Sequence, residues 1–105
     1  MMPAANTMPA VGEVIGEGRF ELLGKLGEGG MSLVFLARDL ELGRQVALKL
    51  LLPRYVGRPE REQRLINEAE YLRRLKGHPN IIEFVDEGRL HNRGDWPWLA
   101  TEVLQ

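Results

Sequence analysis

The sequence contains no cysteine, only two histidines and no long hydrophobic run. Without cysteine there can be no disulfide, thiolate metal ligand or cysteine nucleophile. His78 and His91 do not have the spacing of a metal-ligand pair, so we expect no metal site made from protein side chains alone. No apolar run has the length that crosses a bilayer, and no basic leader precedes an apolar block. We therefore expect no membrane segment, no signal peptide and a cytoplasmic location.

The charges are nearly balanced, because the sequence has 14 lysines and arginines and 15 acidic residues, which gives a net charge of −1. The sequence has no basic excess of the kind that would indicate nucleic-acid binding. It also has no block of like charge that would indicate an interaction tail. A chain of 105 residues is expected to form one domain with a modest core. Residues 1–13 are rich in Met, Ala and Pro without a clear period, which predicts a flexible leader before a folded domain over residues 14–105.

The hydrophobic pattern predicts an α+β fold. One main helix is expected over residues 59–76, because proline and acidic residues stand at its start and Gly77 follows its end. Pro97 places the start of the last predicted strand at a sheet edge. This order predicts a five-stranded antiparallel sheet with the helix packed on it. The predicted strands cover residues 20–26, 32–39, 46–52, 81–88 and 96–103.

A glycine-rich stretch lies between the first two predicted strands, where Gly27, Gly29 and Gly30 fall within four positions. Glycine lets the backbone turn tightly and approach a ligand closely. Successive N–H groups in such a turn suit phosphate oxygens. A simple hairpin tip accounts for the same glycines without any ligand, so both interpretations stay open at this point.

Lys49 interrupts the most apolar predicted strand, which indicates a side chain with a specific partner. Strand alternation puts Lys49 on one face with Ala47 and Leu51. The alternative is that Lys49 lies at a strand edge, where its long aliphatic side chain carries the ammonium group to solvent.

Glu68 lies within about 60° of the apolar side of the predicted helix, which Leu65, Leu72 and Leu75 share. An unpaired buried carboxylate is costly, and Lys49 is available as a cation, so we predict a Lys49–Glu68 ion pair. The alternative is that Glu68 lies at the margin of that side and pairs with Arg61 or Arg64 on its own helix.

Five motifs follow one another in an order that is typical of one family. They are the glycine-rich loop 27–34, the strand motif Val46-Ala47-Leu48-Lys49, the helix motif Asn67-Glu68-Ala69, the linker His78-Pro79-Asn80-Ile81 and the strand end 99–104. With these motifs the chain resembles the N-terminal, ATP-binding lobe of a bacterial serine/threonine protein kinase. The resemblance covers roughly residues 14–105 and ends at the hinge between the two kinase lobes.

The resemblance implies that the chain binds ATP. Backbone amides of Gly27 to Ser32 would cover the phosphates, and Lys49, positioned by Glu68, would contact the α- and β-phosphates as part of the catalytic machinery. Thr101 would be the gatekeeper behind the adenine. The backbone of Glu102 and Leu104 would hydrogen-bond the adenine edge. The complete implied set of nucleotide-binding residues is Leu26, Gly27, Glu28, Gly29, Gly30, Met31, Ser32, Val34, Ala47, Lys49, Thr101, Glu102 and Leu104, in which Leu26, Val34 and Ala47 sandwich the base.

Two departures limit what the resemblance implies. Ser32 stands where the family's loop usually has its third glycine, which predicts a stiffer loop. The catalytic loop and the magnesium-binding aspartate of the family have no counterpart in the sequence, so Mg²⁺ ligands and the protein substrate are expected on the missing lobe.

These departures leave two functions open. Joined to its second lobe, the chain would transfer the γ-phosphate of MgATP to serine or threonine hydroxyls of proteins, whereas the 105-residue chain alone is expected to be inactive. The alternative is a non-catalytic nucleotide-binding or interaction module. Such an orphan lobe would pair with other kinases, and N-lobe dimers are an expected mode of association.

Overall fold

The computed structural model describes residues 7–104, which form one curled antiparallel sheet with a helix packed on it. The six strands are ordered β1-β2-β3-β4-β6-β5 across the sheet. Two single-turn 3₁₀ helices, Pro53–Tyr55 and His91–Arg93, lie in connections. The elements are β1 (Val14–Ile15), β2 (Phe20–Gly29), β3 (Ser32–Asp39), β4 (Arg44–Leu51), α1 (Pro59–Arg74), β5 (Phe84–Leu90) and β6 (Trp96–Thr101).

The predicted α+β fold with one main helix is confirmed, and the strand count differs by one. The additional strand, β1, pairs antiparallel with the start of β2 through Val14↔Glu21 and Ile15↔Phe20. A two-residue strand has too short an alternation to be recognised in the sequence. Its turn contains Gly16 with φ +67°, a backbone conformation that favours glycine.

Several boundaries also move. Helix α1 ends at Arg74, and Gly77 follows with φ +91°, which agrees with its predicted place after the helix. Strand β5 begins at Phe84, three residues later than predicted, because the residues before it form a bend and a coil. Helix α1 buries Leu65, Ala69 and Leu72 against the sheet, as its apolar side predicted.

Strand β6 is an interior strand between β4 and β5, although it contains a proline. Its pairing with β4 extends only to Leu50↔Trp98, so Pro97 has a strand partner, Arg89, on one side alone. The start of β6 is therefore at a local edge of the sheet, as predicted, whereas the rest of the strand pairs on both sides. Trp96 and Trp98 are both buried in the core, and the indole N–H of Trp96 donates to the carbonyl of Leu51 at 3.1 Å.

The predicted leader, residues 1–13, lies partly outside the described residues, which begin at position 7. In the described part, the Gly12 N–H donates to the Leu22 carbonyl at 2.8 Å, and the Leu22 N–H donates to the Glu13 carbonyl at 2.9 Å. The Glu13 carboxylate also pairs with Arg93 at 2.7 Å. Contacts with the folded domain thus begin before the predicted boundary, and the division into leader and domain stays a prediction.

The sheet is curled so strongly that side chains near β2 contact side chains of β5 and β6. The ring of Phe20, on β2, packs edge-on against Trp98, on β6, with centroids 4.9 Å apart. Arg19 pairs with Asp39 at the end of β3 (2.9 Å) and with Asp86 in β5 (2.7 Å). The Phe20–Trp98 and Arg19–Asp86 contacts connect parts of the chain that are not neighbours in the sheet, so they hold the sheet in its curled shape.

Candidate functional site

The glycine-rich loop is a hairpin that joins β2 to β3. Gly29 pairs with Ser32, which leaves Gly30 and Met31 as a two-residue turn. A β-bulge between Lys25 and Gly27 shifts the register just before the turn.

Neither the hairpin's backbone conformation nor its packing requires glycine at these positions. Gly27, Gly29 and Gly30 all lack a positive φ. A Cβ placed on any of them would meet no heavy atom within 4 Å. A two-residue hairpin usually needs glycine for positive φ, and that need is absent here. The loop therefore has open backbone along its length, which favours the ligand-approach interpretation over the simple hairpin.

The predicted Lys49–Glu68 pair is confirmed. The Lys49 ammonium donates to both oxygens of the Glu68 carboxylate, each at 3.0 Å. Their side chains are 30% and 38% exposed, so the pair should contribute no more than about 1 kcal/mol to stability. The main effect of the ion pair is to position Lys49, because two hydrogen bonds to one carboxylate hold the ammonium group in place. The alternative pairing of Glu68 with Arg61 or Arg64 does not occur among the described residues.

A small, mainly apolar cavity of about 200 Å³ lies between the sheet and α1, next to this pair. Thr101 is buried in its wall, and its hydroxyl donates to the carbonyl of Glu102 at 3.2 Å. Leu99 and Ile82 also line it, although they were not among the site residues taken from the motifs. Leu99 could have been found because it alternates with Thr101 on one face of β6. The lining residues are Val34, Ala47, Lys49, Glu68, Leu72, Ile82, Leu99 and Thr101.

A larger, open cavity of about 540 Å³ lies between the glycine-rich loop and α1. Val34 and Lys49 line both cavities, so the two spaces are adjacent at the lysine. Arg61 and Arg64 contribute to this cavity and were missed as site residues. Their signal was their spacing, since they lie seven and four residues before Glu68 on α1. The lining residues are Gly27, Glu28, Gly29, Gly30, Met31, Ser32, Val34, Lys49, Arg61 and Arg64.

Three predicted site residues lie outside the walls of both cavities. Leu26 is half exposed on β2, and Leu104 is 72% exposed beyond the end of β6. Glu102 is tied to the segment before β5, because its carboxylate accepts the Glu83 N–H at 2.8 Å and its own N–H donates to the Glu83 carbonyl at 2.9 Å. Its carbonyl, predicted to be an adenine partner, accepts the hydroxyl of Thr101.

The two adjacent cavities can accommodate different parts of one amphipathic, anionic ligand. The smaller cavity is lined mainly by apolar side chains, and the larger one adds the glycine-rich backbone and the cations Arg61 and Arg64, with Lys49 at the junction. Within residues 7–104, no group of three or more acidic residues and histidines could hold a metal ion. No helix of that part of the chain is long and apolar enough to span a membrane.

Comparison with known proteins identifies the class. A family model described as protein kinase domain matches residues 20–104, so the chain belongs to the protein kinase family. The resemblance to the N-terminal lobe of a bacterial serine/threonine kinase is thereby confirmed, since the bacterial relatives also match most of this chain and only a small part of their own length.

Three relatives show how far the similarity extends. The chain is 40% identical over 97 residues to the DNA damage-responsive serine/threonine-protein kinase RqkA of Deinococcus radiodurans, covering 92% of this chain and 14% of that protein. It is 37% identical over 101 residues to serine/threonine-protein kinase pkn2 of Myxococcus xanthus, covering 93% and 11%. The crystal structure of the Mycobacterium tuberculosis PknI kinase domain matches with a TM-score of 0.70 and 26% identity, covering 94% of this chain and 38% of that one.

Proposed function

We propose that the chain is the ATP-binding lobe of a serine/threonine protein kinase. Joined to a second lobe, it would transfer the γ-phosphate of MgATP to serine or threonine hydroxyls of proteins. The observation that carries this proposal is the position of Lys49, which Glu68 holds at the junction of the two cavities.

Each part of the site has a role in this proposal. The base occupies the apolar cavity between Val34 and Ala47, with Thr101 at its back. Lys49 neutralises charge on the α- and β-phosphates, and the open backbone of the loop donates N–H groups to the phosphate oxygens. Glu68 orients the ammonium through its two hydrogen bonds.

Positioning and charge neutralisation carry most of phosphoryl transfer in this family, and magnesium supplies a share of the neutralisation. No residue set of the described chain fits that ion, so we place its ligands and the group that orients the protein hydroxyl in the second lobe. The chain alone should therefore bind ATP weakly and transfer nothing. A cytoplasmic location and pairing through the N-lobe stay predictions.

Replacing Lys49 with methionine tests the proposal, because it removes the charge and keeps the apolar stem. ATP is titrated into the 105-residue chain, and the loop amides are followed by NMR. Lys49→Met should weaken ATP binding at least about tenfold, roughly 1.4 kcal/mol. Lys76→Met is the matched control, because Lys76 is exposed and lines neither cavity. It should change affinity less than twofold.

Labelled ATP and a generic protein substrate supply the second readout. The chain alone should incorporate no phosphate, whereas a two-lobed protein with this lobe should do so in a Lys49-dependent way. Equal ATP affinity for wild type and Lys49→Met would contradict the assignment of the site. Lys49-dependent binding without transfer by the two-lobed protein would instead favour the non-catalytic nucleotide-binding module.

A further inference from the structure

The arginines of the described residues divide into two groups. Most of them form ion pairs with aspartate or glutamate, as Arg19, Arg73 and Arg89 do. The arginines without a carboxylate partner in the described part follow one another along the chain at the start of α1 and just before it. They are Arg54, Arg58, Arg61 and Arg64.

Two of these unpaired arginines, Arg61 and Arg64, line the cavity beneath the glycine-rich loop together with Lys49. The carboxylate in the same wall, Glu28, is engaged by Lys25 at 3.5 Å. The cavity therefore has an excess of positive charge. Arg61 lies in the first turn of α1, where a cation opposes the helix dipole, so its charge does not stabilise the helix.

Arg61 is held in place by a ring rather than by a carboxylate. Its guanidinium lies 4.9 Å from the centroid of Tyr55, in the 3₁₀ turn before α1. Arg54 lies over the same ring at 5.1 Å. A hydrogen bond from Arg54 and the charges of Arg54 and Arg61 lower the pKa of the Tyr55 hydroxyl, which is the effect of a positive field.

Ser32 adds an unsatisfied group to the same wall. It is 5% exposed, and its hydroxyl has no hydrogen-bond partner among the described residues. Leaving a buried polar group unpaired is costly. Because the hydroxyl oxygen itself has almost no exposed surface, a ligand oxygen would relieve that cost only if this wall moved slightly. The position is also the one where the sequence departs from the glycine of the family.

We propose that Arg61 and Arg64 bind the terminal phosphate of the nucleotide and so make the lobe prefer ATP to ADP. This inference rests on the proposed function, in which Lys49 and the loop amides hold the inner phosphates. The guanidinium group suits a terminal phosphate, because its planar fork can donate two parallel hydrogen bonds to phosphate oxygens. Arg61 and Arg64 act as binding residues that set specificity.

The test compares two double variants that lose the same charge. Arg61→Gln/Arg64→Gln removes the unpaired cations of the cavity, and Arg54→Gln/Arg58→Gln removes the unpaired cations outside it. ATP, ADP and AMP are titrated into the 105-residue chain at about 0.15 M salt, where charges more than about 8 Å apart are largely screened. The amides of residues 27–32 report binding.

The wild type should bind ATP several-fold more tightly than ADP. The cavity variant should lose that several-fold advantage in ATP affinity, bind ATP and ADP alike and keep its AMP affinity within twofold. The control variant should keep the wild-type preference.

Three results would overturn the inference. They are no preference for ATP in the wild type, an undiminished preference in the cavity variant, or an equal loss in both variants. If nucleotide binding still depends on Lys49 in these cases, the proposed function stands. If the wild type shows no Lys49-dependent nucleotide binding at all, the proposed function fails and the inference fails with it.

Discussion

Replacing Arg19 with methionine should destabilise the lobe more than any single exposed charge can. Its guanidinium donates to both oxygens of Asp39, at 3.1 and 2.9 Å, and to Asp86 at 2.7 Å. It also lies 4.8 Å from the ring centroid of Phe20 and 5.5 Å from that of Trp98. Methionine keeps the apolar stem but removes the cation that links the two ends of the curled sheet.

The magnitude follows from burial. The Asp39 side chain is 0% exposed, whereas that of Asp86 is 44% exposed. Removing the partner of a buried charge costs about 3–5 kcal/mol, and an exposed pair contributes about 1 kcal/mol or less. Asp39 keeps the backbone N–H groups of Glu41 and Leu42, so we take the lower end, about 3 kcal/mol. That loss should lower Tm by about 12–24 °C for a domain of this size.

Urea unfolding measures the loss through the fluorescence of Trp96 and Trp98, which are both buried. Arg38→Met is the matched control, because Arg38 is half exposed and its pair with Glu21 is long, at 3.7 Å. The control should cost less than about 1 kcal/mol. If Arg19→Met is too unstable to study, Arg19→Met/Asp39→Leu removes the stranded carboxylate as well and should recover part of the stability.

Two results would refute this reasoning. One is a free energy of unfolding for Arg19→Met that lies within about 1 kcal/mol of wild type or of Arg38→Met. The other is a double variant no more stable than Arg19→Met alone, since the cost would then not come from a stranded charge.

Two further predictions concern the same sheet. Burial raises the pKa of Asp39, but the hydrogen bond from Arg19, the backbone N–H donors and the Arg19 charge outweigh it and lower the pKa overall. The resulting stability is present above the unfolded pKa of about 3.9 and is lost as pH falls through the folded value. Thermal unfolding should therefore show Asp39→Asn less stable than wild type at pH 7, with a difference that shrinks below about pH 4, and a constant difference would contradict this. Gly88→Ala should cost about 1–3 kcal/mol in urea unfolding, because its Cβ would lie 2.6 Å from the Trp98 ring, whereas Gly24→Ala, with open space, should not.

Much of the fold could be predicted because it depends on local pattern. The alternation of β3, the apolar run of β4, the proline at the start of α1 and Gly77 after its end each leave a local signal. The strand β1 left no such signal, because two residues are too few to show an alternation of apolar and polar side chains. Its pairing with β2 depends on the turn between them.

The site could be predicted where two elements each presented a costly charge. Alternation placed Lys49 in an apolar strand, and helical spacing placed Glu68 beside an apolar side, so each needed a partner. The same reasoning left Arg61 and Arg64 open as partners for Glu68. Only the packing of α1 on the sheet decided that Glu68 pairs with Lys49 and that the two arginines face the cavity beneath the loop.

The sequence by itself determined the order of the helix and the five longer strands, the faces on which Lys49 and Glu68 lie and the family motifs, because periodicity and turn chemistry act over a few residues. The tertiary structure alone decided which faces meet. Arg19 contacts Asp86, 67 positions away, and Trp98 packs against Phe20, which lies on a strand that is not its neighbour in the sheet. Such contacts depend on how far the sheet curls, and the curl is a sum of many strand twists that no short stretch of sequence encodes.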